Sequence, residues 1–310
     1  MSAATPYFPP IAKRPTVLTP PLKAFVDRGL TYLRSGLPVN LTGAAGTGKT
    51  TLALHMAHLL QRPAIFIQGD DQLSSTELVR GGINLRRHRV VDNYIRSVVR
   101  TEDHYTENWS ENWLTTACEK GYTLVYDEFT RSRPEANNVL LSVLEERVLV
   151  SSGVKDDLHI MAVHPEFRVI FTSNPVDYVG VHKSPDALRD RMVSMMLQPL
   201  DEDTETVIVR AHSGLAEDDC RRVVRVVRAV RARSKGSTHA SLRSAVNLAK
   251  VLAHARLKPD FSNPTVIGFC HDLLGSSSAM PPEVLGEVLS GFGRPQTGRE
   301  NAHAGKTPEN

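Results

Sequence analysis

One octapeptide of the chain has the residue types needed to hold a phosphate. Gly43-Ala44-Ala45-Gly46-Thr47-Gly48-Lys49-Thr50 matches the pattern GxxxxGK[ST] in full. Glycines let successive backbone N–H groups turn towards a phosphate without Cβ clashes, and a following helix adds its positive N-terminal dipole. The Lys49 ammonium can contact the β- and γ-phosphates, and the Thr50 hydroxyl can take one position on Mg²⁺. We expect ATP with Mg²⁺ to bind at residues 43–51, where Thr51 continues into a helical segment.

Two adjacent acids provide the second element of this chemistry. Asp127 and Glu128 end the hydrophobic, strand-like run of residues 123–126. At the carboxyl edge of a strand beside a phosphate loop, Asp127 can hold Mg²⁺ through its water shell. Glu128, one residue further on, would face the γ-phosphate and can orient or deprotonate the attacking water.

An amide follows another strand-like run. Residues 168–172 lead into Ser173-Asn174-Pro175. At a strand end between the nucleotide and the acids, the Asn174 amide can hydrogen-bond both the γ-phosphate and the water. An Asn-Pro turn that simply closes the strand explains the same residues, and spacing alone does not separate the two interpretations.

The elements that must position these residues alternate along the chain. Short apolar runs of strand length lie at residues 39–42, 64–67, 123–126, 169–172 and 193–197, separated by helical-looking segments. This alternation predicts an α/β fold, an αβα sandwich around a five-stranded parallel sheet. Beyond about residue 200, helical periodicity at 221–233 and 241–257 predicts a small all-helical lid. We expect a Pro-rich extended arm at 1–20, the nucleotide-binding domain at 21–200, the lid at 201–275, and a mostly disordered tail at 276–310.

Composition excludes several classes of protein. Hydrophobic residues make up 41% of the 310 residues and charged residues 23%, as in ordinary globular chains, and the formal net charge is only +3. The three widely spaced cysteines form neither a disulfide framework nor a CxxC metal site, and no apolar run approaches the roughly 20 residues that span a bilayer. We therefore expect a cytoplasmic protein without a membrane partner.

Two weaker patterns, a run of arginines and a pair of tryptophans, favour ordinary structural roles. Six arginines between residues 221 and 233 favour a solvated helix face over a nucleic-acid surface, so nucleic acid is not an expected partner. Trp109 and Trp113 are four residues apart, which predicts one helical face packed into the core.

Longer stretches carry a resemblance to a known family. The chain resembles the MoxR-type branch of the AAA+ ATPases. The resemblance is carried by residues 43–50, Asp127-Glu128, 133–146, and 164–170 before Asn174-Pro175. A narrower resemblance is to the GvpN family of gas vesicle proteins. It is carried by residues 126–138, 171–175, Tyr178, 180–183 and 186–188. The resemblance covers about residues 15–275. The sequence departs from the general family pattern at two positions. Tyr126 stands where an aliphatic residue is more usual, and Leu242 stands where relatives often have proline.

The resemblance implies roles that spacing does not. Asn174 falls at the sensor 1 position of these ATPases, and Arg243 at the sensor 2 position of the lid. Arg191, with Arg189 second, falls where relatives place an arginine that reaches a neighbouring subunit's nucleotide. Such an arginine requires subunits that meet head to tail, hence a homo-oligomeric ring.

The resemblance also implies a biological setting. It indicates ATP hydrolysis in gas vesicle formation, with gas vesicle shell or accessory proteins as partners and a location in the cytoplasm at gas vesicles. Two alternatives remain open. One is a MoxR-like chaperone that activates a metalloenzyme or carboxylase, and the other is an ATP-binding structural component of the vesicle with little turnover.

Overall fold

The computed structural model describes residues 16–80, 83–91, 101–109, 113–152, 158–174, 186–234, 240–275 and 280–293. Most of the arm expected at 1–20 and part of the tail expected at 276–310 lie outside these residues, as do Pro175, Tyr178 and residues 180–183. The chain divides into two compact units, with the boundary between Pro199 and Leu200.

The first unit contains the strands. They are β1 (Val39–Thr42), β2 (Ala64–Gln68), β3 (Ile83–Val91), β4 (Thr101–Trp109), β5 (Thr123–Asp127), β6 (Val148–Ser152), β7 (Leu158–Ala162), β8 (Arg168–Ser173) and β9 (Val193–Met196). Five of them form a parallel sheet in the order β2-β5-β8-β1-β9, which confirms the expected α/β core.

The register of this sheet aligns the carboxyl ends of its strands. Thr42 of β1 pairs with Ser173 of β8, and Tyr126 of β5 pairs with Phe171 of β8. The three central strands are almost completely buried, as expected where both faces of a parallel sheet are covered. Polar residues that follow these strands therefore meet at one edge.

The helices of this unit are α1 (Pro20–Arg34), α2 (Lys49–Leu59), α3 (Ser75–Arg80), α4 (Trp113–Lys120), α5 (Pro134–Asn137), α6 (Val139–Leu144) and α7 (Asp186–Arg189), with a 3₁₀ turn at Phe129–Arg131. Helices α1 and α2 contact β1, and α4 contacts β2 and β5. Since α2 starts at Lys49, the phosphate-loop pattern lies between β1 and the first turn of α2.

Two antiparallel hairpins were not expected from the sequence. β3 pairs with β4, with Ile83 opposite Trp109, and β6 pairs with β7, with Val148 opposite Ala162. The prediction that Trp109 and Trp113 share a helical face is wrong, because Trp109 ends β4 and Trp113 begins α4. Strand β4 contains no aliphatic residue, so a search for apolar runs does not detect it.

The second unit contains α8 (Glu202–Ser213), α9 (Glu217–Arg233), α10 (Leu242–Ala255), α11 (Pro264–Cys270), a π-helical turn at His271–Gly275, and α12 (Pro282–Ser290). Helix α12 lies within residues 276–310, for which the sequence predicts a mostly disordered tail. It buries Leu285, Val288 and Leu289 against the core of this unit, and that apolar spacing is typical of a helix. None of the described helices is long and apolar enough to cross a membrane.

The arginines of α9, predicted to form a solvated helix face, make hydrogen bonds and ion pairs within the second unit. Their side chains contact neighbouring carboxylates or carbonyl oxygens: Arg221 with Asp203, Arg222 with Gly293, Arg225 with Glu202, Arg228 with Leu200 and Glu205, Arg231 with Glu205 and Ala240, and Arg233 with Glu287. Glu205 is 2% exposed and lies 2.7 Å from Arg231 and 3.4 Å from Arg228. Much of the positive charge of α9 therefore connects helices of the second unit.

Removing the buried carboxylate tests this role. We expect Glu205→Ala to lower the free energy of unfolding by about 2–3 kcal/mol, because it leaves two partly buried guanidinium groups without their shared partner. The matched control is Glu287→Ala, which breaks the exposed pair with Arg233 and should cost less than about 1 kcal/mol. Urea denaturation of the full chain measures both values. Equal losses for the two variants would contradict the structural role of Glu205.

Candidate nucleotide-binding site

The glycine-rich loop between β1 and α2 adopts a backbone that side chains would disfavour. Gly43 has φ 151° and Gly48, the residue before α2, has φ 98°. A Cβ at Gly43 would lie 2.8 Å from the carbonyl oxygen of Leu197. The loop therefore needs glycine at position 43 for both conformation and space, and at position 48 for conformation. Within the loop, the Thr47 hydroxyl donates a hydrogen bond to the Ala44 carbonyl oxygen at 2.9 Å.

Lys49 lies across this loop. Its ammonium, on a side chain only 6% exposed, donates to the carbonyl oxygens of Gly43 and Ala44 at 2.9 and 2.8 Å and to Oδ1 of Asn174 at 2.9 Å. Burial lowers the pKa of Lys49, and the charges of Asp127 and Glu128 act in the opposite direction. A desolvated cation thus lies where the sequence places the phosphates, and it links the loop to the end of β8.

The Asp127 carboxylate joins three elements. Its Oδ1 atom accepts hydrogen bonds from the Thr50 hydroxyl at 2.7 Å and from the Thr172 hydroxyl at 2.5 Å. Thr50 belongs to α2 and Thr172 to β8, so the carboxylate at the end of β5 bridges its neighbours. A hydroxyl and a carboxylate at hydrogen-bonding distance form a set of hard oxygen donors, which fits Mg²⁺.

Glu128 follows in an unusual backbone conformation. Its φ and ψ of 51° and 39° are left-handed, its N–H donates to the Thr172 hydroxyl at 2.9 Å, and its carboxylate lies 2.9 Å from Nε of Arg131. Gly69 packs directly against this point, since a Cβ there would lie 2.2 Å from the Glu128 carbonyl oxygen. The Gly69 N–H also donates to the Asp127 carbonyl oxygen at 2.7 Å.

The contacts of the Tyr126 hydroxyl explain why a tyrosine stands where the family pattern usually has an aliphatic residue. Its buried hydroxyl is hydrogen-bonded to Oγ of Ser132 at 2.8 Å and to Oδ1 of Asn137 at 3.0 Å, and the Asn137 amide donates to the Phe129 carbonyl oxygen. Burial raises the pKa of Tyr126 to about 12, so the hydroxyl stays protonated at neutral pH. The turn that follows Glu128 is therefore fixed to the end of β5.

The remaining candidates are three arginines, two of them at or just after α7 and one in the second unit. Arg191 contacts Glu145 through Nε at 2.8 Å and through Nη2, and its Nη1 donates to the Ala187 carbonyl oxygen at 2.5 Å. Arg189 is exposed at the end of α7 and makes no side-chain hydrogen bond or ion pair within the described part of the chain. Arg243 is exposed in the first turn of α10, in the second unit.

The structure thus brings together the loop, Lys49, Thr50, Asp127, Glu128 and Asn174. Sequence reasoning missed Thr172, Gly69 and Arg131, which contact the acids. A threonine inside the otherwise apolar run of β8 was a detectable signal for the first, because a buried hydroxyl needs a partner. Gly69 and Arg131 gave no comparable signal.

Comparison with known proteins agrees with this arrangement. The family described as AAA domain (dynein-related subfamily) matches residues 38–192. Gas vesicle ATPase GvpN of Ancylobacter aquaticus is 42% identical over 272 residues, covering 84% of this chain and 76% of the relative. Gas vesicle ATPase GvpN of Haloferax mediterranei is 38% identical, covering 88% and 77%.

Among solved structures, a RuvB point mutant from Thermotoga maritima superposes with a TM-score of 0.53 at 16% identity, covering 84% of this chain and 73% of that chain. At this identity the likeness concerns the fold alone. The family match spans the phosphate loop, both acids and Asn174, and the two relatives cover 84% and 88% of this chain. The chain therefore belongs to the AAA+ ATPases and, among them, to the GvpN family.

Proposed function

We propose that this ATPase hydrolyses ATP to ADP and phosphate with Mg²⁺ in support of gas vesicle formation, by remodelling shell proteins or promoting their assembly. The observation that carries the catalytic part is the convergence of four side chains at one sheet edge. Lys49 is hydrogen-bonded to Asn174, and Thr50 is hydrogen-bonded to Asp127. The gas vesicle setting is supported by relatives at 42% and 38% identity that are named gas vesicle ATPases.

Each residue has a defined task in this proposal. The loop N–H groups and Lys49 bind the phosphates, while Thr50 and Asp127 hold Mg²⁺, which when bound neutralises charge on the β- and γ-phosphate oxygens. Glu128 orients the attacking water and accepts its proton, and the Asn174 amide orients the γ-phosphate and water. The Arg131 ion pair must release the Glu128 carboxylate, or share it, when water is bound.

The proposal also includes an arginine supplied by a neighbouring subunit of a ring. Arg191 is the first candidate, because Glu145 and the Ala187 carbonyl oxygen fix its orientation while engaging three of the five N–H donors of a guanidinium. Two donors remain for a phosphate oxygen. Among the described residues, the Arg189 side chain makes no hydrogen bond or ion pair that would orient it. Arg243 of the lid is assigned the sensor 2 role by the family resemblance.

If Glu128 is the base, its substitution should affect ATP turnover and leave ATP binding intact. Glu128→Gln should lower kcat by about 10²–10⁴-fold and leave ATP bound, because it removes the base and keeps the side-chain shape. Lys49→Ala should weaken binding itself. A fluorescent ATP analogue and a phosphate-release assay measure the two properties, with Glu135→Gln, at an exposed position of α5, as the control. Loss of binding in Glu128→Gln would contradict the assigned role.

The arginine assignment predicts rescue between subunits. Arg191→Ala should reduce hydrolysis by the oligomer, and mixing it with Lys49→Ala subunits should restore part of the turnover, since the mixture contains intact shared sites. Arg189→Ala serves as the comparison, and Arg34→Ala, an exposed arginine at the end of α1, as the control. Rescue with Arg189→Ala alone would transfer the role to that residue. Absence of rescue in both mixtures would argue against a shared site.

The cellular role predicts complementation. In a gas-vesicle-forming bacterium that lacks its own GvpN, the wild-type chain should restore vesicles, and Glu128→Gln should not. Electron microscopy of the cells measures vesicle number and length. Restoration by Glu128→Gln would favour an ATP-binding structural component over a hydrolase, and no restoration by the wild-type chain would favour a MoxR-like chaperone with another client.

A further inference from the structure

We propose that Thr172 is a positioning residue for catalysis, whose single hydroxyl sets the orientation of both acids of the site. The inference rests on the proposed function, because it concerns how the same residues are held. Thr172 lies on β8, two residues before Asn174, and is completely buried. It contacts the two acids from the neighbouring strand, 45 and 44 residues away along the chain.

The directions of its two hydrogen bonds are determined by chemistry. The backbone N–H of Glu128 can only donate, so at 2.9 Å it uses an acceptor site of the Thr172 oxygen. The hydroxyl proton therefore remains for Oδ1 of Asp127, at 2.5 Å. One hydroxyl is thus both acceptor and donor, and neither bond can be replaced by a methyl group.

The bond to Asp127 restricts the rotation of that carboxylate. Thr50 donates to the same oxygen, Oδ1, from the opposite element, α2. Two donors on Oδ1 hold the carboxylate plane in one orientation, and Oδ2 carries neither of these bonds. The orientation of a carboxylate beside a metal position decides which of its lone pairs the ion or its water shell can use.

The bond to Glu128 stabilises a backbone that glutamate rarely adopts. With φ 51° and ψ 39°, Glu128 is left-handed, and a residue with a Cβ needs surrounding contacts to stay there. Thr172 supplies one such contact through the N–H. Gly69 supplies the space on the other side, where any Cβ would meet the Glu128 carbonyl oxygen. The direction of the Glu128 side chain depends on this conformation.

Loss of the hydroxyl should therefore affect turnover more than binding. Among the described residues, Thr172 is hydrogen-bonded to neither Lys49 nor the phosphate loop, so the KM for ATP should change little. Misplacement of a catalytic group by about 1 Å can cost about 10²-fold in rate. We expect Thr172→Val to lower kcat by about 10²-fold and to raise the Mg²⁺ concentration needed for half-maximal turnover.

The chain offers a matched control for this substitution. Thr123 is also fully buried in the same sheet, on β5, and among the described residues its hydroxyl has no hydrogen-bond partner. It lies at the opposite end of β5 from Asp127. Thr123→Val makes the identical chemical change away from the acids, and it should leave kcat and the Mg²⁺ dependence at wild-type values.

The experiment compares purified full-length variants by steady-state ATP hydrolysis, Mg²⁺ titration and thermal unfolding. Thr172→Ser, which keeps the hydroxyl, should retain kcat within about fivefold. If Thr172→Val does not fold, Thr172→Ala is compared with Thr172→Ser, since both lack the methyl group and only one has the hydroxyl.

Wild-type kcat in Thr172→Val, or equal kcat in Thr172→Ala and Thr172→Ser, would overturn the positioning role and leave the proposed function intact. Equal losses in Thr172→Val and Thr123→Val would also overturn it. A wild-type chain with no turnover would instead overturn the proposed function, and the positioning role with it.

Discussion

The parallel register of β1, β5 and β8 is the constraint on which the rest of the site depends. It places Thr42 beside Ser173 and Tyr126 beside Phe171, so the segments that follow the three strands leave the sheet at one edge. A one-residue slip would turn every side chain of a strand to the other face. The contacts of Lys49 with Asn174 and of Asp127 with Thr172 exist because this register is fixed by strands buried in the core.

The site itself is built at an energetic cost. It contains a desolvated ammonium, a left-handed glutamate, and a glycine with no room for a side chain. Two of these features are compensated by specific neighbours: carbonyl oxygens for Lys49 and the Thr172 hydroxyl for Glu128. The Tyr126 network in addition fixes the turn beyond Glu128. Strain that persists only because surrounding structure imposes it is common where catalytic groups must be held in place.

The second unit uses charge for a different purpose. The sequence of α9, with six arginines, is compatible with a binding surface, and it favours a solvated helix face. In the fold these arginines contact acids and carbonyl oxygens of other elements of the second unit, with Glu205 buried between two of them. The net charge of +3 is therefore a poor guide to partners, because many of the cations are engaged inside the unit.

The sequence by itself determined the phosphate loop, the acid pair and the five parallel strands. Each of these is encoded in a contiguous stretch, as a motif or an apolar run, and local patterns of that kind can be read without knowing the fold. Only the tertiary structure decided the contacts of Thr172 and Gly69 with the acids, the in-chain partner of Arg191 and the two hairpins. The contacts depend on side chains brought together from segments tens of residues apart. The hairpins depend on backbone pairing, which leaves little trace in the pattern of apolar residues.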